Sequence, residues 1–223
     1  MALVLHYHPL SSYCHKVLIA LYEMRLAFEP RLLNLGDPQA RAEHLTRWPT
    51  GKMPLLDDGG RIVSETSIII EHLQQRNPEA VPLLPVDTQA RLDARLWDRL
   101  CDLYVMTPMQ SLVAQRLRGQ AEPDARAVGE ARATLTMAYG LIDQQVKEGA
   151  WLAGPAFSQA DCAAAPALFY ARTIVPFDAG QPALAAYFER LLDRPSVGRV
   201  VDEARPFFQY YPYKEALEPR FTN

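Results

Sequence analysis

Apolar and polar positions follow one rhythm before residue 77 and another after it. Residues 2–6 form a short, apolar, β-prone run that Pro9-Leu10-Ser11-Ser12 breaks. Beyond it Cys14, Val17, Leu18 and Leu21 fall at the i, i+3, i+4, i+7 spacing of a single helix face. Ser11 and Ser12 both suit the cap of that helix. A strand is expected over 28–33, then a short helix over 39–45 entered through Gly36-Asp37-Pro38. Met53-Pro54-Leu55-Leu56 and Arg61-Ile62-Val63 read as two strands. Asp57-Asp58-Gly59-Gly60 turns between them, since Gly reaches positive φ without penalty and Asp tolerates it. A helix follows Ser64, with Ile69, Ile70 and Leu73 on one face. Residues 1–76 therefore predict β-α-β-α-β-β-α, the first strand pair parallel and right-handed and the last a hairpin.

Pro78, Pro82 and Pro85 interrupt any helical period over 77–87, which reads as a linker. Everything after it has helical character. Leu92, Leu96, Leu100 and Leu103 lie near one face of a helix expected over 88–118, with Pro108 kinking or breaking it. A loop over 119–123 leads to a long helix over 123–147, and a second loop covers 149–155. Ser158-Gln159-Ala160-Asp161 has the form of a capping box, with Asp in place of the longer Glu. Behind it Ala160, Ala163, Ala164, Ala167, Leu168 and Ala171 keep a helical period with small residues, as a central, closely approached helix would. Two shorter helices are expected over 182–192 and 195–204. The expected organisation is thus a domain over 1–76, a linker over 77–87, an all-helical domain over 88–204 and an aromatic, Pro-rich tail over 205–223. The tail either folds over a cleft as a lid or packs on the helices as core.

Composition narrows the classes. With 223 residues, 49% of them hydrophobic, the chain can bury a sizeable core and is not disordered. A formal net charge of −3 with both signs interspersed shows no nucleic-acid footprint. Cys14, Cys101 and Cys162 are odd in number and far apart, which disfavours a disulfide framework and suits a reducing, cytoplasmic setting. The five His show no ligand spacing, so no metal is expected. No apolar run approaches a membrane span, and the N-terminus lacks the basic start of a signal peptide.

The richest stretch chemically is 50–73. A Pro is out of place inside a paired strand, so the Met53–Pro54 bond is expected to be cis, presenting the Met53 backbone to a ligand. Glu65, Thr66 and Ser67 open a helix, whose free amides and positive dipole end favour an anion. Together the two features suit a small peptide that carries carboxylates.

With these motifs in this order, the chain resembles the cytosolic glutathione transferase family over nearly its whole length, and in particular bacterial, serine-type members with a theta- or zeta-like N-terminal site. The carrying residues are Lys52-Met53-Pro54, Glu65-Thr66 (where the family more often has Glu-Ser) and the box from Ser158 to Asp161. The resemblance implies a thioredoxin-like N-terminal domain and an all-α C-terminal domain. It implies glutathione as co-substrate, held by Lys52, Met53, Pro54, Glu65 and Thr66. It implies a catalytic hydroxyl at Ser11, eight residues before Ile19, with Ser12 and Cys14 as alternatives. Ser11 and Ser12 equally fit plain helix caps, and Cys14 sits on the apolar face like an inert buried thiol. The second substrate is expected to be a small, largely apolar electrophile against Tyr104, Met106, Met109 and Phe207, although Tyr104, Met106 and Met109 fit plain core equally. The expected activity is conjugation of the glutathione thiolate. Alternatives are a glutathione-dependent isomerase or dehalogenase, or a non-enzymatic interaction protein such as an FtsZ-binding cell-division factor, its partner engaging the tail. A homodimer is implied by resemblance alone.

Overall fold

Strand β1 (Leu3–Tyr7) lies at the centre of the only sheet in the computed structural model, among the described residues 2–118 and 122–222. It pairs in parallel with β2 (Phe28–Leu32) and antiparallel with β3 (Leu55–Asp58), which pairs antiparallel with β4 (Arg61–Val63). The order is β2-β1-β3-β4. Pro30 is tolerated because β2 is an edge strand. The expected strand at 53–56 begins two residues late, leaving Met53 and Pro54 ahead of the ladder. Helix α1 (Ser12–Glu23) runs from β1 to β2, α2 (Pro38–Arg47) from β2 to β3, and α3 (Thr66–Arg76) follows β4. The Asp37 carboxylate caps α2 by accepting from the Ala40 N–H at 2.9 Å.

The helical half holds α4 (Thr88–Leu100), α5 (Thr107–Arg116), α6 (Ala125–Gln145), α7 (Gln159–Ala171), α8 (Pro182–Leu192), α9 (Pro195–Ala204) and a final turn, α10 (Pro219–Thr222). Residues 77–87 are a packed connection. The Gln74 side chain accepts from the Leu83 and Leu84 amides at 3.0 and 2.9 Å and donates to the Leu84 carbonyl at 3.0 Å. The helix expected over 88–118 runs to Arg116 but changes its turn ahead of Pro108, which sits in the first turn of α5. A π-helical segment, Cys101–Met106, joins α4 to α5 just ahead of it. Pro108 lacks an amide hydrogen and its ring crowds the preceding turn, and the wider turn absorbs both effects. The Thr107 hydroxyl donates to the Asp102 carbonyl at 2.8 Å within it. Helix α6 starts at Ala125, after Asp124 accepts from the Arg126 and Ala127 amides, so Pro123 stays outside it. The loop expected over 119–123 lies mostly outside the described residues.

All of α7 is buried, its Ala face admitting α1 and α4 closely. The Asp161 carboxylate closes the box from the Ser158 amide at 2.8 Å and also accepts from the Leu152 amide and the Tyr187 hydroxyl. The core is continuous across both halves, from Leu5 and Val17 to Leu168 and Phe208. One stripe points the other way. In α4 only Ala94 and Asp98 are buried, while Leu92 and Leu96 are each 58% exposed. The tail packs as core: Phe208, Tyr211, Leu217 and Phe221 are buried, and Phe169 contacts both Phe208 and Phe221.

Candidate functional site

Two backbone irregularities meet on one wall of the cleft between the halves. The Met53–Pro54 peptide is cis, and Glu65 has φ 65° and ψ 118°, a left-handed value that costs a non-glycine residue roughly 1–3 kcal/mol. Glu65 is the N-cap of α3 and no side chain caps that helix start, so its first-turn amides are left for the cleft. The Lys52 carbonyl is held at 2.9 Å from Nε2 of buried His44, which fixes the approach to Met53. Ser11, Lys52, Met53, Pro54, Glu65 and Thr66 all line this cleft, whose volume is about 930 Å³.

The three candidates on α1 have different settings. Ser11 lines the cleft and caps α1, its hydroxyl accepting from the Cys14 amide at 3.3 Å. Ser12 is buried and its hydroxyl accepts from Gln110 at 3.2 Å. Cys14 has no exposed surface and burial pushes its thiol up to about 12, so it carries no thiolate near neutrality. Tyr13 also lines the cleft, its phenol raised by burial. Buried His15 donates from Nε2 to the Pro9 carbonyl at 2.5 Å, anchoring the loop two residues before Ser11.

The four residues expected at a second-substrate pocket are not brought together. Met106 and Met109 are core residues, 0% and 1% exposed. Tyr104 is 46% exposed and lies outside the cleft lining, and Phe207 packs edge-on against His8 with ring centroids 5.6 Å apart. The helical register explains the miss. The π segment rotates α5 relative to α4, so the cleft receives Leu103, Thr107 and Gln110 instead.

The helical half brings a buried charge cluster to the cleft. Lys16 Nζ lies 2.6 Å from Asp98 Oδ1 and 2.8 Å from Asp102 Oδ2, and donates to the Ser67 hydroxyl at 3.0 Å. That hydroxyl donates onward to Asp98 Oδ2 at 2.5 Å. Burial pushes the Lys16 ammonium down, but the two carboxylates outweigh it and leave it above its usual value. Burial raises the Asp102 carboxyl against the opposing pull of Lys16. Sequence reasoning missed this cluster. Its signals were a Lys inside the buried stripe of α1 and two Asp one helical turn apart.

Among the described residues no group of three His, Cys, Asp or Glu is placed to hold a metal, and no helix is long and apolar enough to cross a membrane. Residues 5–81 match the family model for the glutathione S-transferase N-terminal domain, and residues 100–195 match that for the C-terminal domain. The chain is 30% identical to a stringent starvation protein A homolog of Pasteurella multocida over 187 residues, 82% of each chain. It is 31% identical to FtsZ-localized protein A of Caulobacter vibrioides over 170 residues, 72% of this chain and 73% of that one. A crystal structure of a glutathione S-transferase from Methylobacillus flagellatus with glutathione bound superposes with a TM-score of 0.81 at 25% identity, covering 89% of this chain and 98% of that one. Sheet topology, helical half and both family models agree: the chain belongs to the glutathione S-transferase family.

Proposed function

We propose that the protein binds glutathione in the cleft and transfers its thiolate to a small electrophile. The carrying observation is the convergence of the Met53 backbone, the uncapped start of α3 and the Ser11 hydroxyl on one cleft. In this reading the Met53 backbone pairs with the cysteinyl unit. The Glu65 carboxylate takes the γ-glutamyl ammonium, and Thr66 with the first-turn amides takes its carboxylate. Lys52, exposed at the rim, pairs with the glycyl carboxylate. The Ser11 hydroxyl donates to the sulfur and favours the thiolate, which is the nucleophile. Positioning the two reactants supplies most of the acceleration. The M. flagellatus enzyme with glutathione bound supports this reading. Titrating glutathione calorimetrically and assaying a chlorodinitrobenzene-type electrophile tests it. Heat of binding together with turnover is expected, and the absence of both would overturn it. An isomerase or dehalogenase would use the same residues, and a substrate screen separates them.

A second reading is a non-catalytic interaction protein, favoured by the 30–31% identity to the stringent starvation and FtsZ-localized relatives. It does not rest on an exposed tail. Tyr210, 71% exposed, is the only large hydrophobic tail side chain among the described residues that stands out in solvent. Glutathione binding with no turnover across a broad electrophile panel would favour this reading.

A further inference from the structure

Gln159 is completely buried at the start of α7, yet neither its amide oxygen nor its amide nitrogen has a hydrogen-bond partner among the described residues. Asp102 is 5% exposed, and its Oδ1 is likewise without a partner. Both residues line the same cleft, away from the Met53–Glu65 wall in sequence and on the helical half. A buried polar atom left unsatisfied costs about 1–3 kcal/mol, so three of them in two residues that line one cavity ask for an explanation.

We propose that Gln159 and Asp102 form a polar subsite for the second substrate, and that this substrate carries a neutral hydrogen-bonding head such as a primary carboxamide or a hydroxyl. The inference rests on the transferase reading and sharpens its substrate class. Gln159 offers one donor group and one acceptor, and Asp102 Oδ1 offers a further acceptor. A carboxamide presents the complementary set, a carbonyl oxygen and an N–H pair. A charged head fits poorly. The two carboxylates of Asp98 and Asp102 are already matched by Lys16 and Arg99, the latter 3.4 Å from Asp102 Oδ2, so the cluster has no charge left to pair. An added carboxylate would face Asp102, and an added ammonium would lack a counter-charge. The backbone that carries Gln159 is held in place. The Gln159 backbone N–H donates to the Leu83 carbonyl at 2.8 Å, and the neighbouring Ser158–Asp161 box fixes the helix start. A wholly apolar electrophile would bury these groups without partners, contrary to the expectation from resemblance.

Three para-substituted benzyl chlorides bearing a carboxamide, a methyl group and a carboxylate test this. In each, the glutathione thiolate forms the C–S bond as the C–Cl bond breaks, chloride leaves with the electron pair and the thiol proton passes to solvent. With kcat/KM divided by the uncatalysed rate, the wild type is expected to favour the carboxamide over the methyl analogue by about tenfold, the equivalent of one good hydrogen bond. The carboxylate is expected to rank last. In Gln159→Leu, and in Gln159→Met as a second variant of similar volume, the carboxamide-to-methyl ratio should fall to about one. The melting temperature of both variants should match or exceed that of the wild type, because no bond within the fold is lost. No preference in the wild type, a preference that survives both variants, or a loss of more than about 4 °C in both would overturn the subsite. Should no electrophile turn over and no glutathione bind, the transferase reading fails by itself. The subsite then stands if para-toluamide saturates the wild type but not Gln159→Leu in ligand-observed NMR, and falls if it saturates neither or both.

Discussion

A serine hydroxyl has one proton and two lone pairs, so Ser11 can cap α1 as acceptor and still donate to a sulfur. Its cap function and its proposed catalytic function are therefore compatible, and one substitution separates them by size. Ser11→Ala should cost about 1 kcal/mol of stability through the lost cap. It should lower kcat/KM by about 10- to 100-fold, the worth of a hydrogen bond to a charged partner, and move the rising limb of the pH–rate profile to higher pH. A stability loss with unchanged kinetics would leave Ser11 as a cap alone. His15 gives a pH prediction. Burial holds its imidazole down at about 4, against 6.5 when free. Its stabilising effect is present in full above about pH 6.5 and is lost as pH falls through about 4, roughly 3 kcal/mol in all. Denaturant titrations of the wild type between pH 7 and 4 should show this loss, and His15→Phe should show a flatter dependence. At this scale the sequence was partly legible. Caps, turn residues and the Pro before a strand act through near neighbours and can be read locally. Gln159 could not be read as a cleft residue, because its setting depends on α4 and on residues 77–87.

Among the elements, α1 is tied to α4 by charge as well as by packing. Lys16→Met leaves Asp98 buried without its counter-charge and Asp102 with Arg99 alone, 3.4 Å away, and should destabilise by about 3–5 kcal/mol. Adding Asp98→Asn and Asp102→Asn should recover much of that, measured as chemical denaturation midpoints. If the triple variant were no more stable than the single, the charges would not be the cause. Most elements were legible because their apolar periods are regular and their ends carry Ser, Asp, Pro or Gly. The π segment was not. Sequence shows that Pro108 must disturb a helix but not whether the helix bends, ends or widens, and here Thr107 bonding to Asp102 favours widening. The direction of the leucine stripe of α4 was not legible for a related reason. Periodicity finds a face but not which way it points, and packing places Ala94 and Asp98 inward instead.

On the scale of the molecule that stripe bears on the homodimer expected from resemblance. Leu92 and Leu96 on α4, with Ile68 on α3 at 54% exposure, leave an apolar surface that a second copy of the chain would cover. Light scattering should report a dimer for the wild type and a monomer for Leu92→Asp combined with Leu96→Asp. A wild-type monomer would remove the expectation. The two-layer plan was legible from the change of period near residue 77. The depth of contact between its halves was not, because side chains that join them are far apart in the chain, 86 positions for Lys16 and Asp102 and 171 for Glu23 and Arg194. The Lys16 cluster has a consequence for how such a protein can be reshuffled. Cut between the sheet half and the helical half, one fragment would keep the Lys16 ammonium without either acid, and the other would keep Asp98 without its counter-charge and Asp102 with Arg99 alone. The halves look like interchangeable modules, but a chimera that joins this sheet half to another relative's helices would have to import both acids with them. Inheritance of the three side chains as a set, rather than of either half alone, is what makes a graft between relatives viable.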